Sequence, residues 1–229
     1  MIERSQGPCV QTDRFSEEQP EVLLQGSSSF VVPLAVIDSL PNLPIMTSTR
    51  LQLELLVNDT VTDLKAVAEV ILADPGATLQ VLRLIGEEYS EAEDRPHRIE
   101  DCIVSLSIER CYETICSAGW PSSGAYVAEW QYCRRVAECA RELARALDGF
   151  SPEEAYLIGL LHRVGGFPYL LGWSVSEFSV AEDEAMGVKL ASHWRLPEFL
   201  LSAIEDHQGI TKSQRWSVIL GLANKLADS

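Results

Sequence analysis

Basic residues are scarce in this chain. Its 229 residues hold 18 Lys and Arg against 34 Asp and Glu, a formal charge of −16 and a pI near 4.6. Nucleic-acid backbones and anionic membrane surfaces are bound through concentrated Lys/Arg footprints. No such cluster stands in the sequence, so neither is expected as a partner. Long apolar runs are missing as well: no window approaches the ~20 apolar residues that span a bilayer, and Met1-Ile2-Glu3-Arg4-Ser5 lacks the basic start of a secretory leader. A cytoplasmic protein is the expectation. Neither a G-x-G-x-x-G fingerprint nor a G-K-[ST] ending accompanies Gly165-Gly166, which excludes the common phosphate loops. The six cysteines, Cys9, Cys102, Cys111, Cys116, Cys133 and Cys139, form no C-x-x-C pair, and four fall in segments of helical periodicity; they read as reduced, partly buried thiols. Five tryptophans are too dispersed for a stacking platform and are expected in the packing.

What is present suits a packed fold, with 46% apolar and 23% charged residues. Residues 1–30 carry Gly7-Pro8, Glu17-Glu18, Pro20 and Gly26-Ser27-Ser28-Ser29 without a sustained apolar period, and read as a poorly ordered or appended segment. Residues 31–229 are the expected folded domain. From Phe30 onward helix follows helix, and no alternation is long enough for a strand, so the fold class is all-α. Leu40-Pro41-Asn42-Leu43-Pro44 forbids helix and introduces one from about Thr47 to Val57, with Leu51, Leu55 and Leu56 on its apolar face. Thr62 is the expected cap of a second helix, and Asp74-Pro75 supplies an N-cap and first-turn proline for a third.

Two shorter helices follow, around Ile99–Ser105 and Ser107–Ser117, and the break at Gly119-Trp120-Pro121-Ser122-Ser123-Gly124 divides an N-terminal lobe (31–119) from a second lobe (124–229). The longest helix runs from about Val127 to Leu147. Ser151-Pro152-Glu153-Glu154 opens the next, with Ser151 capping and Glu154 returning a bond to the Ser151 amide, and Gly165-Gly166 closes it. Three more helices are expected, at about Val180–His193, Pro197–Asp206 and Ser213–Ala227.

The most specific stretch is Gly159-Leu160-Leu161-His162-Arg163-Val164-Gly165-Gly166, followed by Gly187-Val188-Lys189-Leu190-Ala191-Ser192-His193-Trp194-Arg195-Leu196-Pro197 and then His207-Gln208. These segments resemble the HDOD family, relatives of the HD-type metal phosphohydrolases, in their G-L-L-H-D-I-G and G-x-x-L-x-x-x-W-x-L-P elements. Leu40-Pro41-Asn42-Leu43-Pro44 and Asp74-Pro75 with Val81-Leu82-Arg83-Leu84 are similar to the family's opening L-P-x-L-P and D-P-x-L…L-L-R-L elements. The resemblance covers roughly residues 34–228 and implies a two-lobed helical domain.

It also implies where metal ligands stand in the catalytic relatives, and this chain departs at most of those positions. Tyr132 takes the place of a His opening the long helix. His162 survives, but its Asp partner is Arg163. Asp183 and Asn224 replace a further His and a late Asp, and only His207 remains of a histidine pair. Two imidazoles cannot complete a four-ligand zinc site or a carboxylate-bridged pair of metals, and Arg163 puts a permanent positive charge where a cation would sit. The implied reading is a non-catalytic binding module of bacterial signalling, with a protein partner and with no metal and no cofactor. The alternative is a metal-dependent phosphohydrolase with an altered ligand set. A purely structural role through the acidic surface is the third reading.

Overall fold

Helix caps and prolines set the chain's punctuation, and each helix begins where its local chemistry allows. The protein was analysed as a computed structural model that describes residues 42–59, 61–91, 94–173, 183–207 and 215–229, all within one unit, Val32–Ser229. The side chains of Asp183, Glu184, Ala185, Asp206, His207 and Arg215 lie outside that description. Helices α1 (Thr47–Val57), α2 (Leu64–Leu72), α3 (Pro75–Glu88), α4 (Ile99–Leu106) and α5 (Ile108–Cys116) precede the long α6 (Gly124–Ala146). Beyond it come α7 (Pro152–Leu161), a 3₁₀ turn (Val164–Gly166), the short α8 (Phe167–Leu170), α9 (Asp183–His193), α10 (Glu198–His207) and α11 (Arg215–Ala227). No strand occurs among the described residues, so the fold is all-α.

Two of the local expectations are corrected. The cap of α2 is Asp63, whose carboxylate accepts from the Lys65 amide, while the Thr62 hydroxyl turns back to the Leu56 carbonyl. Either residue type caps well, and the chain's arrival from α1 selects the later one. On α1 the buried positions are Thr49 and Leu53, whereas Leu51 and Leu55 are 56% and 74% exposed. The helix meets α2 and α5 along a narrow i, i+4 stripe, and a leucine-rich helix offers more apolar faces than that contact uses. Trp120 is likewise 54% exposed rather than packed away, with the Arg50 guanidinium 4.8 Å from its ring centre.

The two proline-led caps form as expected, while the capping box and the glycine stop of α7 do not. Asp74 caps α3 and Ser151 caps α7, each followed by a first-turn proline. The carboxylate of Glu154 lies 3.9 Å from His97 Nε2 instead of reaching back to the cap. Helix α7 ends at His162 by passing into the 3₁₀ turn, without a left-handed glycine. From Ala155 to Leu161 it is buried all round, as befits a helix surrounded by others. Its closest neighbour is α6, and there Gly159 is required: a Cβ on it would stand 2.6 Å from Ala137 Cα. The buried apolar side chains form one core running from Leu43 to Ala223.

Candidate functional site

Helices α6, α7 and α11 converge because α6 presents small residues, Ala137, Ala140 and Ala144, to its neighbours. This packing brings four polar side chains together at the C-terminal end of α7. Arg163, just past that end, donates to Glu129 Oε1 of α6 at 2.7 Å, with its guanidinium carbon 5.1 Å from the centre of the Tyr132 ring. The Tyr132 hydroxyl donates to Asn224 Oδ1 of α11 at 2.9 Å. Three of the positions singled out in the sequence, Tyr132, Arg163 and Asn224, are therefore neighbours in space.

His162 is held by the main chain of its own helix. Its side chain is buried, and Nδ1 lies 2.8 Å from the Gly159 carbonyl, one turn back along α7. Asp183 opens α9, which packs on the 3₁₀ turn after Arg163, and His207 closes α10; the side chains of both lie outside the described residues. Among the described residues the acid that meets Arg163 is Glu129, a residue that none of the motifs marks. Glu129 stands three residues before Tyr132, one turn along the same face of α6, and that spacing was the available signal.

The electrostatics follow from partial burial. Burial works against the charge of Arg163, but the hydrogen bond and charge of Glu129 outweigh it and hold the guanidinium above its ordinary pKa. Burial, reinforced by Asp228, pushes the Tyr132 phenol up, so it stays protonated and serves as a donor. Cys133, buried one residue further on, is raised as well, first by burial and then by Glu129. Its thiol is thus kept from the reactive thiolate form. The five described cysteines are all unbridged.

Among the described residues no group of three or more His, Cys, Asp or Glu side chains is placed to hold a metal ion. No helix among them is long and apolar enough to cross a membrane.

Comparison with known proteins accounts for the architecture. MmoQ, a response regulator from Methylococcus capsulatus, shares the fold with a TM-score of 0.65 at 19% identity, the match covering 82% of this chain and 84% of that one. A second MmoQ structure gives a TM-score of 0.64, again at 19% identity, over 81% of this chain and 85% of that one. An HDOD domain protein from Geobacter sulfurreducens matches at 19% identity over 84% of this chain and 76% of that chain, with a TM-score of 0.36. No curated protein matches the chain. The sequence pattern of the HDOD domain matches residues 43–175, a span that includes Tyr132, His162 and Arg163 and ends before Asp183, His207 and Asn224. That match extends over more than half of the sequence and takes in helices α1 to α8, including α6 and α7 of the site. The chain belongs to the HDOD domain family.

Proposed function

We propose that this HDOD domain is a non-catalytic binding module of a signalling pathway, whose partner is another protein. The observation that carries the reading is the ion pair of Arg163 and Glu129 against the Tyr132 ring. A guanidinium occupies the place where the family resemblance implies a ligating carboxylate, and among the described residues its acid partner is Glu129. The remaining donors fit a divalent ion poorly. Tyr132 would have to lose a proton that its surroundings hold and that Asn224 accepts as a hydrogen bond. Asn224 offers an amide oxygen where a carboxylate is implied, and His162, its Nδ1 held at the Gly159 carbonyl, could bring at most Nε2, one ligand where a zinc site takes four. No step of metal-assisted hydrolysis is derived from such a set.

A signalling role draws support from the shared fold of MmoQ, a protein described as a response regulator. The large acidic excess favours a partner with a basic or apolar face and an association that weakens as salt rises. Two measurements test the reading. Elemental analysis of protein purified without added metal is expected to find no stoichiometric Zn, Fe, Mn or Mg. A panel of phosphomonoesters, phosphodiesters and nucleotides with Mn or Mg present is expected to show no turnover. Metal-dependent turnover abolished by His162→Ala would overturn the binding module in favour of the phosphohydrolase.

A further inference from the structure

Away from that cluster, one face of α3 carries a row of polar side chains. Gln80, Arg83 and Glu87 recur at helical spacing along it. Two hollows share Arg83 and Glu87: one of about 190 Å³ reaches Asn42, Gln80 and Thr114, and one of about 440 Å³ is closed by His193, Trp194 and Arg195.

Three independent features mark this groove. Gln80 is 3% exposed, and its amide nitrogen has no acceptor among the described residues, a costly state for a buried donor. Arg83 is held in place, its guanidinium donating to Asn42 Oδ1 at 2.7 Å and lying 5.2 Å from the centre of the buried Trp194 ring. Arg195 adopts a left-handed backbone, φ +51°, at the turn after α9, where glycine is the favoured residue.

The turn that carries Arg195 is clamped from both sides. Its carbonyl accepts from Arg95 at 3.3 Å, and its own guanidinium reaches the Gly86 carbonyl at 3.5 Å. A Cβ on Gly86 would lie 3.0 Å from Arg195 Cβ, so α3 fits the turn closely. A strained, non-glycine residue held this firmly is characteristic of side chains kept for a purpose.

We propose that this groove binds a small oxyanionic ligand, a phosphate, phosphate ester or carboxylate, gripped by Arg83 and Arg195 with an acceptor atom presented to Gln80. In a chain of net charge −16, Arg83 and Arg195 line one hollow together. Burial lowers the pKa of Arg83, and Glu87 opposes that shift. Glu87 thereby supplies the local counter-charge, which an arriving anion must displace. Guanidinium forks suit both phosphate and carboxylate, so the shared chemistry is the oxyanion. The site uses none of the residues in the α6–α7–α11 cluster, and its failure would leave the proposed function standing.

The test titrates the full chain with inorganic phosphate, glycerol 3-phosphate and citrate, each against sodium chloride at matched ionic strength, by calorimetry and thermal shift. At least one probe is expected to bind beyond the chloride control. Phosphate and glycerol 3-phosphate binding over citrate would assign a phosphate ligand, and the reverse a carboxylate. Arg195→Gly removes the side chain and relieves the left-handed backbone; it is expected to hold or raise the thermal midpoint while weakening binding about tenfold or more. Arg83→Gln should weaken it comparably, and Glu87→Gln should tighten it. The proposal is overturned if no probe binds better than chloride, if Arg195→Gly binds as the parent does, or if Glu87→Gln weakens binding.

Discussion

Two kinds of polar tie join the helices of this domain, one buried and one near the surface, and they differ in what they hold on to. Asp74, fully buried, accepts from the Met46 amide at 2.9 Å, from the Gly76 and Ala77 amides and from the Thr49 hydroxyl. Tyr126 and Tyr156 donate to the carbonyls of Pro44 and Leu72, each at 3.0 Å and each more than eighty residues away in sequence. These side chains tie main chain to main chain. The Arg163 cluster instead joins side chain to side chain, with Arg163 49% exposed. Main-chain ties fix where helices start and how distant segments meet, so they specify the fold. Side-chain ties near the surface leave the backbone indifferent, and their arrangement is free to follow function.

The sharpest break of this comparison is Asp74→Ala. It removes an N-cap and leaves the Met46 amide buried without an acceptor, a combined cost of about 2–4 kcal/mol. Chemical denaturation should show that loss in full. A cost below about 1 kcal/mol would mean that Asp74 is no more structural than the surface cluster. Burial pushes its carboxyl above the ordinary range even though four hydrogen bonds pull it down. The native state then binds the extra proton, so Asp74 contributes most at acid pH, and its contribution falls as pH rises from about 4 through the raised value.

Tyr156 sharpens the comparison from the alkaline side. Burial, with Glu138 adding to it, pushes its phenol up to about 12. An unfolded tyrosine ionises near pH 10, so between about pH 10 and 12 the unfolded state releases a proton that the native state keeps. Stability from this group is complete below pH 10 and declines by about 2–3 kcal/mol across that window. Tyr156→Phe should flatten the decline by that amount and cost about 1 kcal/mol at neutral pH for the lost bond to Leu72. Stability curves at pH 8 and pH 11 measure both, pH 11 capturing about half of the decline, about 1.4 kcal/mol; parallel curves for parent and variant would remove Tyr156 from the tied set.

The division also explains which parts were legible from sequence. Caps and first-turn prolines act within four residues, so Asp74-Pro75 and Ser151-Pro152 located their helices directly. The surviving motif residues marked Tyr132, Arg163 and Asn224, and those three do meet. Glu129 was not legible as the partner of Arg163, because that contact depends on how far α7 slides along α6, which Gly159 sets by close approach to Ala137. The buried stripe of α1 was hidden for a similar reason. Leu51, Leu53, Leu55 and Leu56 supply apolar residues on several faces, and only the neighbouring helices choose Leu53. Arg83 and Arg195 lie inside quoted motifs, but no motif brings them together or joins them to Gln80, and the left-handed backbone of Arg195 appears only in three dimensions.

The smallest expected effect concerns Arg163 and Glu129 themselves. Their bond is 2.7 Å long, and Glu129 is the more sheltered member at 22% exposed. Water reaches half of the guanidinium, which screens the attraction, and two long side chains must be ordered to form it. A double-mutant cycle of Arg163→Ala and Glu129→Ala should return a coupling of about 0.2–1 kcal/mol. Each single variant should remain folded, since Tyr132 still reaches Asn224 across α6 and α11. A coupling above about 3 kcal/mol would place the pair among the buried, fold-specifying ties and erase the distinction between the two sets. A weak coupling would leave the cluster free to be rearranged by substitution without loss of the fold, as a surface serving recognition requires.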